Sequence, residues 1–217
     1  RDAGLVTVES QADTMPTNRY VGARRRRPGQ TTILLCAHSA HQQIFGGERS
    51  FLDMLDGIVE LGLNAVVTVP DVRNSDYMCA LQERSIAVYC VAIGWWRHSR
   101  PVNGAVIGQL ADIIAAESID IVHSNTIMLR EPLLAARAMG VRSVVHAREL
   151  IQHDDHLLAE LQLSAGTVVD WLWDNADGII ANSRATALGF EVPEKTPVIV
   201  YNTVDMSDLL VLEPPQK

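Results

Sequence analysis

The sequence contains no long apolar run. Its apolar stretches are short and interrupted by charged residues, whereas a membrane-spanning helix needs about 20 consecutive apolar residues. The N-terminus has no apolar stretch behind its charges, so it lacks the pattern of a signal peptide. Cysteine is scarce as well: Cys36, Cys79 and Cys90 are odd in number and widely spaced, which indicates reduced thiols rather than a disulfide framework. We therefore expect a cytoplasmic protein.

Basic residues are scarce outside the first 30 positions. The chain has 18 Lys and Arg against 26 Asp and Glu, a net charge of −8, and an acidic body of this kind argues against nucleic-acid binding. Four consecutive arginines at positions 24–27 lie in a stretch without apolar periodicity. We predict that residues 1–30 form a flexible basic leader or linker. The alternative is that these arginines contact anionic lipid or a partner.

Apolar segments alternate with segments of helical periodicity from residue 31 onward. The strand-like segments are apolar throughout, which is typical of strands covered on both faces. Glycines such as Gly62 and Gly140 end two of the predicted helices. The pattern predicts an α/β fold: a Rossmann-like, doubly wound, mostly parallel sheet of about seven strands with helices on both faces. The predicted strands are 31–37, 64–70, 86–93, 119–125, 142–150, 177–183 and 196–202.

Two adjacent glycines, Gly46 and Gly47, separate the first predicted strand from the first predicted helix. Right-handed crossovers place such loops at the carboxyl edge of a parallel sheet, where ligands bind. Glycine permits positive φ and a close approach by a ligand, and a helix N-terminus attracts anions such as a diphosphate. A tight turn with no ligand is the alternative. Neither G-x-G-x-x-G nor G-x-x-x-x-G-K-[ST] is present, which disfavours an NAD-dependent enzyme or a P-loop protein.

Histidines recur near the same edge. His38 and His41 fall in the loop beside the glycines, where contact with an acceptor or a phosphate is the hypothesis. Their spacing, like that of the His-Asp-Asp-His segment at 153–156, would also suit a metal in a helix, but for 153–156 a solvated loop or helix start is favoured. His146 ends the fifth predicted strand, and a lone histidine at such a position is more often structural.

The loop after the third predicted strand contains Trp95, Trp96 and Arg97 in succession. Interfacial tryptophan beside cationic residues is a membrane-surface chemistry, so a peripheral contact at the inner face of the membrane through these residues is one hypothesis. The favoured alternative is that one tryptophan packs under the loop while the loop's arginines face water.

Five segments of the chain together resemble a known family. "FGGERSFLDM", "DIVHSN", "VVHAREL", "ADGIIANS" and "PVIVYNTVD", in this order and at these spacings, are similar to the N-terminal half of a family 4 glycosyltransferase of the GT-B fold. The resemblance covers about residues 31–205. It implies transfer of a sugar from a nucleotide sugar to a glycan or lipid-linked acceptor hydroxyl, with retention at the anomeric carbon. It implies no metal and no other cofactor.

The resemblance also implies roles for particular residues. Gly46 and Gly47 match the glycine pair whose backbone approaches the donor diphosphate, and His146 matches the catalytic histidine near the transferred sugar. Asn202 and Asp205 match the segment where the chain leaves for a second domain, although Thr203 replaces the usual glycine. The residues expected to line the cleft or contact the acceptor are His38, His41, Asn125, Arg148, Glu149, Asn182 and Ser183.

A C-terminal domain holds the nucleotide and most of the donor sugar in the family that the chain resembles. The sequence reaches Lys217 without such a domain. We therefore expect residues 206–217 to lead to an absent donor-binding domain and the isolated chain to be inactive. Because the chain begins with Arg1 rather than Met, we expect a piece of a longer protein. The alternative from another class is a non-catalytic Rossmann-like binding or interaction subunit that needs a partner chain for nucleotide binding.

Overall fold

The computed structural model describes residues 18–38 and 43–203. Its strands are β1 (Arg19–Val21), β2 (Thr32–Cys36), β3 (Asn64–Val69), β4 (Ala87–Cys90), β5 (Ile121–Ser124), β6 (Arg142–Ala147), β7 (Gly178–Ala181) and β8 (Val198–Ile199). They form one sheet in the order β1-β4-β3-β2-β5-β6-β7-β8. Every neighbouring pair is parallel except β1 and β4. The predicted Rossmann-like, mostly parallel fold is confirmed, with eight described strands against about seven predicted.

Helices cover both faces of the sheet. Leu55 and Leu81, from the first two helices, pack on one face, and Leu110 and Ala136, from the next two, pack on the other. None of the described helices has both the length and the apolar character needed to cross a membrane. The helices are α1 (Gly46–Glu60), α2 (Ser75–Arg84), α3 (Gly104–Ala116), α4 (Glu131–Met139), α5 (Asp155–Leu161), α6 (Ala165–Asn175) and α7 (Arg184–Leu188).

The central strand β2 shows why its sequence is apolar throughout. Leu34 and Leu35 are both fully buried, yet they point to opposite faces because successive side chains alternate along a strand. Leu34 packs in the cluster that contains α3 and α4, and Leu35 packs in the cluster that contains α1 and α2. A strand with helices on both sides therefore has no polar face.

Two helix ends follow the glycine signals in the sequence. Gly62 comes directly after the last turn of α1 with a φ of +78°, and Gly140 ends α4 with a φ of +66°. Residues with a Cβ rarely adopt this left-handed conformation, and glycine adopts it without steric cost. Both predicted helix ends are confirmed.

The end of the predicted leader belongs to the sheet. β1 pairs antiparallel with β4 along the edge of the sheet. The prediction of a flexible leader over 1–30 is therefore wrong for residues 18–30. The remainder, 1–17, and the predicted tail at 206–217 lie outside the described residues.

Main-chain hydrogen bonds hold the segment that follows β1. The amide of Arg24 donates to the carbonyl of Ser85 at 3.1 Å. The side chain of Asn64, which is 3% exposed, accepts from the amide of Arg27 at 2.8 Å and donates to its carbonyl at 3.0 Å. Because the main chain and one buried amide side chain hold this segment, apolar periodicity could not reveal its order.

A buried carboxylate joins β1, α3 and β4. Glu117 follows α3 and accepts hydrogen bonds from Arg19 at 3.1 Å, Arg26 at 2.7 Å and the hydroxyl of Tyr89 at 2.7 Å. Burial by itself would raise the pKa of the Glu117 carboxyl, but its hydrogen bonds and the arginine charge outweigh burial and lower that pKa. The carboxylate form therefore stabilises the folded state.

We predict that Glu117→Gln lowers the free energy of unfolding by about 1–3 kcal/mol at pH 7, because two arginines lose their counter-charge. We expect a smaller loss than for a fully buried ion pair, because the side chains of Arg19 and Arg26 are 28% and 37% exposed and solvent screens their charge. Because the pKa of Glu117 is lower in the folded state than in the unfolded state, its carboxylate stabilises the protein fully above the unfolded-state pKa of about 4.3. This stabilisation is lost as the pH falls through the folded-state pKa. Urea denaturation should therefore show the two proteins converging in stability as the pH falls below about 4.

Glu83→Gln is the matched control, because the Glu83 side chain is 73% exposed. Its effect should stay within about 0.5 kcal/mol. A Glu117→Gln loss of the same size at pH 7 and pH 3 would show that packing, rather than charge, makes Glu117 stabilising.

Candidate functional site

The order of the strands reverses at β2, which has β3 on one side and β5 on the other. Such a reversal opens a crevice outside the carboxyl ends of the strands. The loops after β2, β5, β6 and β7 all leave the sheet at this carboxyl edge. Two of the residues that the sequence singled out, the loop residue His41 and the matched residue Asp205, lie outside the described residues. These loops and the ends of the elements that they join carry His38, Gly46, Gly47, Asn125, His146, Arg148, Glu149, Asn182 and Ser183.

The glycine pair opens the first turn of α1. Gly46 and Gly47 are its first two residues, and neither has a positive φ. A Cβ on Gly46 would meet no atom of the described residues within 4 Å, and a Cβ on Gly47 would lie 3.6 Å from Cε1 of His38. The N-cap residue is Phe45, whose amide donates to the carboxylate of Glu48 at 3.2 Å. Glycine therefore leaves these amides uncovered by a side chain of their own residues.

Two imidazoles lie side by side at the ends of β5 and β6. The ring centroids of His123 and His146 are 5.7 Å apart, and each residue is 7% exposed. Three ring nitrogens have no hydrogen-bond partner among the described residues: Nδ1 and Nε2 of His146 and Nε2 of His123. Burial, reinforced by the charge of Arg148, lowers the pKa of His146 to about 4. Burial, with His146 and Arg148 adding to it, lowers the pKa of His123 to about 3.

Both rings are therefore neutral at pH 7, so they can donate and accept hydrogen bonds but carry no charge. The sequence reasoning missed His123. The sequence does contain a signal for His123: it is the last residue but one of the short strand β5, as His146 is of β6.

Arg148 connects four elements at the carboxyl edge. Its guanidinium donates to Oγ of Ser50 in α1, to Oδ1 of Asn125 after β5 at 3.5 Å, and to Oδ1 of Asn202 after β8 at 3.5 Å. Burial lowers the pKa of Arg148, and the neighbouring charge of Glu149 opposes this. An arginine keeps its proton at neutral pH under such conditions. The edge therefore contains a fixed positive charge beside the first turn of α1.

The carboxylate of Glu149 braces the loops after β5 and β6. Its two oxygens accept from the hydroxyl of Thr126 at 2.5 Å and from the amide of Arg148 at 2.7 Å. Burial raises the pKa of Glu149, although these hydrogen bonds oppose the rise. Asn125, by contrast, is 1% exposed and its Nδ2 has no partner among the described residues. Asn125 thus adds a third buried polar group that is available to a ligand.

Asn182 and Ser183 cap the short helix α7. The Ser183 hydroxyl accepts from the amide of Thr186 at 3.0 Å, and the Asn182 amide oxygen accepts from the Thr186 hydroxyl at 2.7 Å. Both residues stand at the carboxyl end of β7, where the sequence predicted them. Their contribution to the cleft stays a prediction.

The loop after β4 places its two tryptophans differently. Trp96 is 4% exposed and its ring centroid lies 4.7 Å from that of Trp171. Arg97 forms an ion pair with Glu160, whereas Trp95 is 45% exposed. The hypothesis of a membrane contact through Trp95, Trp96 and Arg97 together is wrong for Trp96, because that ring belongs to the core.

The 153–156 segment starts a helix. Oδ1 of Asp154, the N-cap of α5, accepts from the amide of Leu157 at 2.9 Å. The favoured helix-start interpretation of this segment is confirmed. Across residues 18–38 and 43–203, no group of three His, Cys, Asp or Glu side chains is placed to hold a metal ion.

One match decides the family. A model of the glycosyl transferase 4-like domain matches residues 45–192, which is more than half of the chain. The chain belongs to this family. The match includes the glycine pair, the end of β6 and the cap of α7. It confirms the resemblance to the N-terminal domain of a family 4 glycosyltransferase of the GT-B fold.

Solved structures share the fold of this glycosyltransferase domain. MurG of Acinetobacter baumannii has a TM-score of 0.53 at 14% identity, over 86% of this chain and 50% of MurG. A glycosyltransferase of Rickettsia africae ESF-5 has a TM-score of 0.50 at 14% identity, over 82% and 45% of the two chains. MnaA of S. aureus, solved with UDP, has a TM-score of 0.50 at 16% identity, over 79% and 44%.

The glycosyltransferase domain therefore spans about half the length of the structures that it matches. At these identities the likeness concerns the fold. No curated protein sequence matches the chain.

Proposed function

We propose that this domain is the acceptor-side half of a retaining glycosyltransferase, which moves a sugar from a nucleotide sugar to the hydroxyl of a glycan or a lipid-linked acceptor. One observation supports this most: at the carboxyl edge of the sheet, His123, Asn125 and His146 keep buried polar atoms that have no partner among the described residues. Buried polar groups in proteins are nearly always hydrogen bonded, so such a set is suited to the hydroxyls of a ligand.

The phosphate end of the donor would lie at the first turn of α1. Among the described residues, no atom lies closer than 3.6 Å to a Cβ placed on Gly46 or Gly47, so these residues leave room for a ligand at its amides. Ser50, which accepts from Arg148, is four residues after Gly46 and therefore on the same face of the helix. A helix N-terminus and a guanidinium on one face together attract a diphosphate.

Charge develops on the diphosphate as the bond between the sugar and its leaving group breaks. Hydrogen-bond donors and charges that are already in position stabilise it without reorganisation. In this proposal the α1 amides and Arg148 balance that charge without a metal ion. Glu149 holds the Arg148 backbone amide, so we infer that Glu149 acts on the reaction through the position of Arg148.

The sugar end would lie over the two imidazoles. We assign to His146 a hydrogen bond with the transferred sugar, and to His123 and Asn125 hydrogen bonds with the sugar or the acceptor hydroxyl. A neutral imidazole suits this role because it both donates and accepts. The lowered pKa of His146, about 4, keeps the ring neutral across the physiological range.

The isolated chain should be inactive, because the part of a GT-B enzyme that holds the nucleotide is proposed to lie in the other half.

The three cysteines are all free. Free thiols fit a reducing compartment, and the cytoplasm is the compartment that we propose.

The test compares the isolated chain with the full-length protein on UDP-, GDP- and ADP-glucose. We expect residues 1–217 to turn over none of these donors, and the full-length protein to turn over at least one. Proton NMR of the product should show the anomeric configuration of the donor.

Inversion at the anomeric carbon would contradict the retaining mechanism. Full-length protein that turns over no donor, but binds a nucleotide sugar once a partner chain is added, would instead support the binding-subunit alternative.

A further inference from the structure

A cavity of about 520 Å³ opens at the amino edge of the sheet, and five arginines line it: Arg24, Arg25, Arg26, Arg27 and Arg84. We call it the arginine pocket. It is also lined by Asn64 and Ala65, the first residues of β3. The carboxyl edge, with the proposed glycosyltransferase site, is at the opposite end of these strands. The arginine pocket is therefore separate from that site.

The backbone that carries these arginines is held in place. Ala23 donates to the carbonyl of Gln82 at 2.7 Å, and the Arg27 amide and carbonyl are both bonded to the side chain of Asn64. The guanidinium of Arg27 lies over Gly62, where an added Cβ would come within 2.9 Å of Nη1. A binding group on a fixed backbone loses less conformational entropy when a ligand arrives.

Only two of the five arginines have a carboxylate partner among the described residues. Arg26 is paired with Glu117 at 2.7 Å, and Arg84 with Asp56 at 2.8 Å. Arg24 donates to a backbone carbonyl, that of Glu83. Across residues 18–38 and 43–203, no carboxylate lies within 4 Å of Arg24, Arg25 or Arg27.

Three uncompensated guanidinium groups in one pocket stand out in a chain whose net charge is −8. Asp56, on α1, and Glu83, on α2, are both engaged on the side of Arg84. Glu60, the last residue of α1, forms no ion pair with another described residue. The positive potential of the pocket is therefore directed to solvent, where it can attract an anion.

The remaining walls of the pocket are apolar. Val59, Leu63 and Ile86 line it and are each half-buried. A volume of about 520 Å³ is within the range of small-molecule sites. Guanidinium groups bind phosphate bidentately and also stack on flat rings, whereas an apolar wall offers nothing to a bare inorganic ion.

We propose that the arginine pocket binds an organic phosphate, a small molecule with one or more phosphate groups and an apolar or aromatic part. The phosphate contacts Arg24, Arg25 and Arg27, and the apolar part rests on Leu63 and Ile86. This site is independent of the proposed glycosyltransferase site at the carboxyl edge.

The test is calorimetric titration of the chain with ADP and, separately, with inorganic pyrophosphate. Arg25→Ala combined with Arg27→Ala should weaken ADP binding at least about tenfold, because charge-assisted hydrogen bonds are lost. Neither guanidinium has a partner among the described residues, so the double variant should keep its thermal unfolding midpoint. ADP should bind more tightly than pyrophosphate, because only ADP has a part that can use the apolar walls.

Arg137→Ala combined with Arg142→Ala is the matched control, since it removes the same charge from another cavity at the amino edge. It should leave ADP binding unchanged. An equal loss in both double variants, or no loss in the first, overturns the proposal. Pyrophosphate that binds as tightly as ADP would overturn the organic part of the assignment.

A second arm separates a lipid headgroup from a free phosphate compound. Vesicles of phosphatidylcholine with and without phosphatidylglycerol are sedimented with the wild-type chain and with the Arg25 and Arg27 double variant. Binding to phosphatidylglycerol vesicles that depends on these arginines, without binding of ADP, would overturn the small-molecule assignment.

Discussion

Gly47→Val in the full-length protein should lower kcat/KM for the nucleotide sugar about 100-fold or more, the loss that follows when a charge-stabilising donor is removed. A Cβ at this position would lie 3.6 Å from His38, so the branches of valine would fill the space in front of the first α1 amides. The fold should survive because Gly47 is helical, with no positive φ that valine would strain. Steady-state kinetics and circular dichroism of the same preparation check both statements.

Gly57→Val is the matched control. Gly57 belongs to the same helix, and a Cβ there would meet no atom of the described part of the chain within 4 Å. It makes the same chemical change away from the proposed site and should alter kcat/KM less than about threefold, in line with the small effects of exposed substitutions. Undiminished turnover by Gly47→Val would remove the role that we give to the glycine pair.

Arg148→Met should lower kcat/KM about 100-fold or more as well, because the fixed positive charge at the carboxyl edge disappears. Methionine keeps much of the apolar volume of the side chain but cannot donate to Ser50, Asn125 or Asn202. If Arg148 stabilises the leaving diphosphate, most of the loss should appear in kcat rather than in KM. The measurement is a full kinetic profile with the preferred donor.

Two further variants separate charge from geometry. Arg148→Lys keeps the charge but loses the planar, bidentate donor, so it should recover part of the lost activity. Arg142→Met removes the same charge from an exposed position at the start of β6, at the opposite edge of the sheet, and should have little effect. A loss in Arg148→Met that appears only as a lower unfolding midpoint, with kcat unchanged at low temperature, would show that the residue is merely structural.

Local patterns predicted the elements that depend on neighbouring residues in the chain. The apolar stretches around Leu34 and Val66 predicted buried parallel strands because a strand covered on both faces cannot have a polar side. Gly62 and Gly140 predicted helix ends because few other residues adopt a left-handed backbone. The family resemblance rests on the same local segments, and the match over 45–192 confirms it.

The errors concern residues whose environment is supplied from far along the chain. Trp96 is buried by Trp171, 75 positions later in the chain, and no pattern around Trp96 records this contact. The β1 strand is only three residues long and is held by pairing with β4, so it is too short to show an apolar pattern in the sequence. His123 was missed because its value as a site residue depends on the ring of His146 beside it.

The sequence by itself determined the fold class, the position of the glycine pair between a strand and a helix, and the family. These features follow from backbone preferences and hydrophobic periodicity, which act over a few residues. Only the tertiary structure decided which polar groups lack partners at the carboxyl edge and which arginines lack a counter-charge at the amino edge. Burial and pairing depend on three-dimensional neighbours, and a linear pattern does not contain those neighbours.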